Sequence, residues 1–434
     1  MSKICIVTLG CPKNVVESEY IAGMLSAKGY ILTTDINSCD YALVHTCSFI
    51  QDAKEESTGF INALLKLKKL GKIEKLFVSG CLVQSERKKI QKDFKEVDGF
   101  IGTGELEKIP DIISRGEGFL CKNPGGLLES KYPRLLSTEN ASAYLRVSEG
   151  CNHKCSFCYI PKIRGNYVSR KIEHIVEEAK SLSELGIKEA VLIAQDVTSY
   201  GLDLYGYYAL PKLIEKISEI SKIKWIRILY GYPASITNKL LDGFKRSKKL
   251  CKYIDVPLQH VNERILKIMG RPKGAKRTVQ MIKDAVPEIA IRTSIITGFP
   301  GETKKEFQEL KNFISEGWFD HLGVFEYSDN QKTKSYCFKK RINNIEKASR
   351  KNELMKAQKK VVLKKNISRI GTIEEVLVEE KISGNVFSGR TYFQAPEVDN
   401  KIIFNGKADI GSFVNVKITG QKGYDLIGKQ VLSK

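Results

Sequence analysis

The sequence predicts an α/β chain in three parts. Residues 1–138 read as a doubly wound parallel sheet, 139–370 as a partial barrel of six βα units, and 371–434 as a small antiparallel β-barrel, OB-like in scale. Three observations carry this. Short apolar runs alternate with helical stretches through the first two parts, as parallel sheets covered by helices require. Within the second part the alternating run from 139 to about 340, about two hundred residues, is short for a complete eightfold barrel. After Gly371 the texture changes to short strands with Gly-rich turns and no helical period.

In the first part the strands are Ile4–Leu9, Tyr41–Thr46 and Lys75–Ser79. Cys11, Cys47 and Cys81 each follow one of them closely. In a parallel sheet such strand ends share one edge, where ligands of open α/β folds bind. Three thiolates converging there would hold an iron–sulfur cluster with one iron free; three unrelated buried cysteines are the alternative.

In the second part the strands are Ala190–Ala194, Trp225–Leu229, Ile254–Val256, Ser294–Ile296 and Gly323–Glu326, with one more before Cys151. Cys151, Cys155 and Cys158 form a Cys-x3-Cys-x2-Cys run with no fourth cysteine nearby. A cubane has four irons, so three thiolates leave one open to a non-protein ligand. A structural zinc site would close its tetrahedron with four ligands, and His153 has poor reach as the fourth on so short a loop. An open iron suits chelation by the amino and carboxylate groups of S-adenosylmethionine (SAM). Phe157, just before the last cysteine, fits the aromatic expected beside adenine. The run resembles the radical-SAM signature.

Composition sets the frame. The 434 residues are 42% hydrophobic, with no run of eighteen apolar residues and no signal-peptide pattern, so a soluble, cytoplasmic protein with no membrane partner is expected. Eleven cysteines are an odd count over a long chain, which argues against a disulfide framework. The formal net charge is +21, of which residues 339–370 contribute +10 and residues 371–434 nothing. Within the basic segment Ile345, Ala348, Leu354, Ala357, Val361 and Leu363 recur near helical spacing, predicting an amphipathic connecting helix. Its charge reads either as a solvated Lys-rich face or as a ribosome- or RNA-facing patch.

Thr8-Leu9-Gly10-Cys11-Pro12-Lys13-Asn14 with Glu17-Ser18-Glu19 resembles the opening of the radical-SAM methylthiotransferase family. The resemblance continues through Glu149-Gly150-Cys151, Arg164-Gly165, Gln195-Asp196, Pro257-Leu258-Gln259-His260 and Thr297-Gly298-Phe299-Pro300-Gly301-Glu302-Thr303, and ends in Gln394–Asp399 of a TRAM-like barrel. The Cys-Pro-Lys-Asn form and the Ala-Pro-Glu-Val-Asp stretch resemble the RimO branch, which modifies an aspartate of small-subunit ribosomal protein S-twelve. The MiaB-like branches, which act on adenosine in transfer RNA, are the nearest enzyme alternative. A non-catalytic iron–sulfur scaffold that binds ribosomal RNA is the alternative from another class. Two positions depart from the family: Glu17 stands where Asp is common, and the glycine usual before Thr333 is replaced by Lys332.

The resemblance implies two [4Fe-4S] clusters, an auxiliary one on Cys11, Cys47 and Cys81 and a SAM-binding one on Cys151, Cys155 and Cys158. It implies that SAM is cleaved to a deoxyadenosyl radical, that the radical takes hydrogen from the aspartate β-carbon, and that a methylthio group is delivered there. A reductant such as flavodoxin or ferredoxin and the small ribosomal subunit would be partners. Gln195 and Asp196 would meet the SAM amino group, Gln259 and His260 the ribose, and the Gly298–Gly301 turn the adenine. The residues alone allow blander readings: Asp196 as a helix cap, Gln259 and His260 as a satisfied polar pair, and Gly298 and Gly301 as a tight turn. Arg164 and Arg170 are candidates for pairing a carboxylate of SAM or substrate, or are merely solvated. Cys5, Cys39, Cys121, Cys251 and Cys337 lack partner spacing and read as core or incidental thiols. Glu397 and Asp399 suit a basic protein partner for the terminal barrel better than RNA. The aromatics there (Phe387, Tyr392, Phe393, Phe404, Phe413 and Tyr424) read either as its own core or, less readily, as exposed faces for RNA.

Overall fold

A computed structural model describes residues 2–128, 131–137 and 141–431. The N-terminal sheet has six parallel strands, β1 (Lys3–Thr8), β2 (Ile31–Thr33), β3 (Tyr41–Thr46), β4 (Lys75–Gly80), β5 (Gly99–Ile101) and β6 (Gly118–Leu120), in the order β2-β1-β3-β4-β5-β6. Both faces are covered. Ala42 and Val44 of β3 pack into one core and Leu43 into another, so the strand reads as a continuous apolar run. β1, β3 and β4 are direct neighbours, which sets the ends carrying the three cysteines side by side. The sequence reading missed β2, β5 and β6; at three residues each they are too short to show a period.

Next come β7 (Ser142–Arg146), the short antiparallel pair β8 (Ser148–Glu149) and β9 (Val168–Ser169), then β10 (Glu189–Ile193), β11 (Trp225–Ile228), β12 (Leu250–Asp255), β13 (Ala290–Thr297) and β14 (His321–Glu326). The order β14-β13-β12-β11-β10-β7 is parallel throughout and leaves the barrel open between β14 and β7. Alternation along the strands is clear. Ala190, Leu192, Ile226, Ile228 and Ile254 face the surrounding helices, whereas Val191, Ile193, Trp225, Cys251 and Tyr253 belong to a core shared with both flanking parts. The expected boundary at residues 138–139 falls outside the described residues.

The basic helix spans Asn344–Arg369, and its Asn343 cap accepts from the Glu346 N–H. Its buried stripe is Lys347, Arg350, Leu354, Gln358, Val361, Val362 and Asn366. Ile345, expected on that stripe, is 85% exposed, because the helix packs largely through polar side chains such as Arg350, which pairs with Glu302 at 2.8 Å. The terminal strands β15 (Ile373–Ser383), β16 (Val386–Arg390), β17 (Ile402–Asn405), β18 (Phe413–Lys422) and β19 (Asp425–Gln430) close into a barrel whose single parallel pair is β17–β19.

This small barrel plugs the end of the central barrel where the strands begin. Arg390 pairs with Glu189 at 2.5 Å, Arg227 donates to the Tyr392 carbonyl at 2.6 Å, and Trp225 meets Phe413 edge-on at 4.8 Å. Asp399 accepts from the Tyr253 hydroxyl (2.7 Å) and pairs with Arg292 (3.3 Å) and His321 (3.3 Å). Asp399 is therefore a buried docking residue, which corrects the expectation that it faces a basic partner. Glu397 does stay exposed, at the centre of a strained turn with φ 65°.

Candidate active site

The N-terminal triad is gathered by three tied loops. Cys11 precedes the Pro12–Ala27 helix in an extended conformation, with proline at the first helical position. A Cβ on Gly10 (φ 97°) would stand 2.5 Å from the Cys47 Cβ, so bare backbone there lets the Cys11 loop close on Cys47. Asn14 Nδ2 donates to the Leu9 and Thr46 carbonyls, joining the Cys11 and Cys47 loops. The Thr46 hydroxyl donates to the Ser79 carbonyl and accepts from the Leu82 N–H, joining Cys47 to Cys81. Burial pushes the Cys81 thiol up to about 12, with Arg164 opposing and the neighbouring thiols of Cys47 and Cys11 reinforcing. Burial likewise raises Cys47.

Arg164 explains how thiolates would be tolerated here. Its Nη2 reaches the Cys81 sulfur at 3.1 Å and Asn14 Oδ1 at 2.8 Å, although it ends the short Ile160–Arg164 helix beyond the second triad. It also pairs with Glu17, which Arg146 meets at 2.7 Å and His45 at 2.9 Å, all fully buried or nearly so. Burial works against a charged Glu17, but Arg164, His45 and Arg146 outweigh it and hold the carboxyl far below its usual range. The departure from Asp thus falls on a carboxylate with three partners from both sheets. Arg164 is a buried linchpin here, and not a solvated arginine.

The second triad is local. Cys151 leaves β8 through Gly150, whose φ of 77° brings the chain so close to the Asn166 carbonyl that a Cβ would stand 2.0 Å from it. The Cys151 N–H donates to the Gly165 carbonyl at 3.1 Å, and Ser156 is pinned to Met269 through its N–H and to Ile268 through its hydroxyl. Burial raises the Cys151 thiol to about 11 and the Cys158 thiol to about 12; Arg271 opposes both. Arg271 lies 3.7 Å from the Cys155 sulfur and over the Tyr232 ring at 4.4 Å. Tyr232 stacks in turn on His153 at 3.5 Å, and His153 hydrogen-bonds Asp196 at 2.7 Å. His153 is committed there, not to a metal.

Among the described residues, no three His, Cys, Asp or Glu side chains converge tightly enough for a single metal ion. Thiolates that each bond a different iron of a cubane need not converge on one point. Both donor sets are three thiols beside an arginine, which suits an anionic cluster.

One segment links the triads. Tyr230-Gly231-Tyr232 leaves the end of β11 with Tyr230 at φ 66°, beneath the Lys13 ammonium at 4.1 Å. Tyr232, two residues on, sits in the stack beside Cys155. Sequence reasoning missed Tyr230, Tyr232 and Arg271; only a non-local contact reveals them, and none has a motif of its own.

The expected SAM residues divide. Gln195 donates to Glu149 at 2.6 Å and keeps a buried carbonyl oxygen without a partner, as a ligand-facing acceptor would. Phe157 packs on Ile265, Met269, Phe299 and Tyr327. Gln259 is half-buried at φ 72° and bridges to Ile295. Asp196 has both oxygens taken by His153, Thr198 and Ser199, which favours the loop-capping reading. His260 is fully buried, with one ring nitrogen toward Glu302 at 3.2 Å and the other accepting from the Asn262 N–H, so it is a satisfied polar residue. At Gly298 (φ 73°) the space of a Cβ is filled by Lys347, only 2.4 Å away, so the helix claims it; Gly301 (φ 84°) is open. Arg170 pairs with Glu178 at 2.6 Å, away from the site.

Comparison with known proteins agrees with this organisation. The Radical SAM superfamily profile matches residues 145–314, the TRAM domain profile 370–431, and the profile of an uncharacterised protein family, UPF0004, matches 3–102. The ribosomal protein uS12 methylthiotransferase RimO of Endomicrobium trichonymphae is 43% identical, over 98% of both chains. The RimO of Thermoanaerobacter sp. is 41% identical, over 99% of this chain and 100% of its own. Among solved structures, the radical SAM methyltransferase TsrM of Kitasatospora setae, with cobalamin and a [4Fe-4S] cluster bound, shares the fold at a TM-score of 0.56 and 13% identity, over 77% of each chain. No helix among the described residues is long and apolar enough to cross a membrane. With full-length relatives this similar, and a radical-SAM barrel between a cysteine-bearing α/β sheet and a TRAM barrel, the chain belongs to the RimO family of radical-SAM methylthiotransferases.

Proposed function

We propose that the chain adds a methylthio group to the β-carbon of an aspartate in ribosomal protein uS12, with two [4Fe-4S] clusters resident. Cys151, Cys155 and Cys158 would hold the SAM-binding cluster, and Cys11, Cys47 and Cys81 the auxiliary one. When bound, these groups and SAM supply hydrogen-atom abstraction and sulfur delivery, chemistry that no side chain here can perform on an unactivated carbon. The observation that carries the reading is the Tyr230–Tyr232 segment, with one ring beside the Cys11 loop and the other beside the Cys155 loop. Donor and acceptor must meet in near-attack geometry with water excluded, and this rigid rim supports that.

The chain's own residues hold the parts. Arg164 places positive charge beside Cys81, which favours its thiolate form, and Arg271 lies beside the Cys155 sulfur. Gln195 turns its unpartnered oxygen to the SAM amino group, with Glu149 fixing its amide. Phe157 and the open turn at Gly301 would hold the adenine of bound SAM, and Gln259 its ribose. Asp196, His260 and Gly298 act by positioning the surrounding loops. A low-potential reductant of the flavodoxin or ferredoxin type is required, and the exposed lysines of the Asn344–Arg369 helix offer contact to ribosomal RNA. The test is mass spectrometry of ribosomal proteins and of transfer RNA from a strain lacking this protein. Loss of methylthio-aspartate from uS12 is expected; loss of a methylthio-adenosine instead would move the assignment to the transfer-RNA branch.

A further inference from the structure

Lys13 stands two residues after Cys11, and its ammonium lies over the Tyr230 ring, while Arg164 serves the Cys81 sulfur. It lies 4.1 Å from the Tyr230 ring centroid and 3.4 Å from the Ala194 carbonyl, at the end of β10. Among the cations nearby, Arg146 and Arg164 meet Glu17, Arg292 meets Asp255 and Asp399, and Arg271, which has no carboxylate, is committed to the Pro257 carbonyl and the Cys155 sulfur. Among the described residues, no carboxylate lies within ion-pair distance of Lys13. The charge is half-buried, so it is only partly paid for by water. Tyr230 beneath it holds a conformation with φ 66°, and strain of this kind persists where surrounding structure imposes it, often at ligand sites.

A half-buried cation with an aromatic floor and no acid, at the rim between two cysteine triads, lacks an anion. We propose that Lys13 binds the side-chain carboxylate of the acceptor residue and so selects an acidic side chain for modification. This rests on the reading of the target as an aspartate. The carboxylate of aspartate is bonded directly to its β-carbon, so holding one fixes the other to within a bond length. A stack with Tyr230 keeps the ammonium in place before substrate arrives, which lowers the ordering cost on binding. An adenosine base carries no carboxylate, so it offers Lys13 only neutral acceptors and no ion pair. Lys13 is then a specificity residue, since it touches the substrate but no reacting bond.

The experiment uses reconstituted holoenzyme and two labelled peptides of the uS12 target loop, one with the target Asp and one with Asn there. Binding is read by fluorescence anisotropy under anaerobic conditions, and KM and kcat are measured separately. Wild type should prefer the Asp peptide by about 10- to 100-fold, the range of a hydrogen bond to a charged group. K13Q should bind both peptides alike, with the loss in KM more than in kcat, and K13R should recover part of the preference. Iron and sulfide contents of K13Q equal to wild type exclude loss of a cluster as the cause. If wild type discriminates and K13Q discriminates equally, Lys13 is not the carboxylate ligand, while the aspartate reading stands. If wild type ignores both peptides and modifies transfer RNA, the underlying reading fails and this inference goes with it.

Discussion

The two cysteine triads are built in opposite ways. The barrel triad lies on one loop from Cys151 to Cys158, pinned by backbone bonds to Gly165 and Met269. The N-terminal triad is assembled from three strand ends between Cys11 and Cys81, and it borrows its cation, Arg164, from the barrel domain. A local site can be recognised from spacing and completed by its own loop. A distributed site depends on the sheet that aligns it and on its neighbour. The difference predicts unequal robustness: the barrel triad tolerates damage to the N-terminal sheet, and the N-terminal triad does not tolerate damage to the barrel.

The largest effects should come from the cysteines themselves. Replacing Cys151, Cys155 and Cys158 by Ala should halve the iron bound and abolish deoxyadenosine formation. Replacing Cys11, Cys47 and Cys81 should also halve the iron, yet leave SAM cleavage measurable and methylthiolation absent. Iron and sulfide analysis with chromatography of deoxyadenosine reads both. Full iron content in the N-terminal triple variant would remove the auxiliary-cluster assignment.

Arg164→Met tests the asymmetry directly. All six cysteines remain, yet the Cys81 sulfur loses its cation and Glu17 loses one of its buried partners. Breaking a buried pair of this kind costs about 3–5 kcal/mol. Iron content should fall toward that of the N-terminal triple variant, with SAM cleavage retained. Glu17→Asp, the residue common in the family, should cost less, about 1–3 kcal/mol, because a shorter arm leaves one of three donors unsatisfied. Unfolding in denaturant measures both; equal iron in R164M and wild type would show the triads to be independent after all.

What was legible in the sequence follows the same divide. The barrel triad was legible because its three cysteines sit within one loop. The N-terminal triad was legible as a set only because each cysteine follows a strand, and parallel order brings such ends together. Arg164 was visible as an arginine but not as a partner of Cys81, since nothing in a linear pattern says which strand ends its loop will face. Lys13, Tyr230 and Tyr232 illustrate the same limit: stacking across two sheets has no period. Ile345 failed for another reason. Helical spacing marked a stripe, and Leu354 and Val361 do lie on the buried face, but near Ile345 the buried residues are polar, Lys347 and Arg350, and Ile345 faces water. Asp399 looked like a surface acid because its partners Tyr253, Arg292 and His321 lie on three different barrel strands.

The plug formed by the terminal barrel extends the comparison to a third site. Glu189 sits fully buried between Arg390 and Arg227; burial opposes its charge, but the two arginines hold its pKa down to about 2. A depressed carboxyl contributes stability that is fully present above its unfolded value, about 4.5, and is lost as pH falls toward about 2. Docking of the terminal barrel should therefore weaken across that window, read by limited acid proteolysis with a protease active there. Glu189→Gln should flatten this dependence and cost about 3–5 kcal/mol at neutral pH, since it leaves two buried arginines without their anion. A pH response unchanged in E189Q would place the acid sensitivity elsewhere.

The smallest effect concerns the position where the family's glycine is missing. Lys332 is not among the residues with positive φ, so the backbone there needs no glycine, and the turn closes through Asn330, whose side chain accepts from the Lys332 N–H at 2.9 Å. The lysine side chain reaches across to the N-terminal domain, donating to the Ser85 carbonyl at 2.6 Å and pairing with Glu86 at 3.1 Å. Glu86 keeps Lys54 as a second partner at 2.8 Å, so loss of Lys332 does not strand it. The pair is about a third exposed on the lysine side, and such contacts contribute only about 0–1 kcal/mol. Lys332→Gly should shift unfolding in denaturant by less than about 1 kcal/mol, with iron content unchanged. A loss several times larger would mean that this contact clamps the short helix after Cys81 onto the barrel, and the N-terminal triad would then depend on its neighbour at two points.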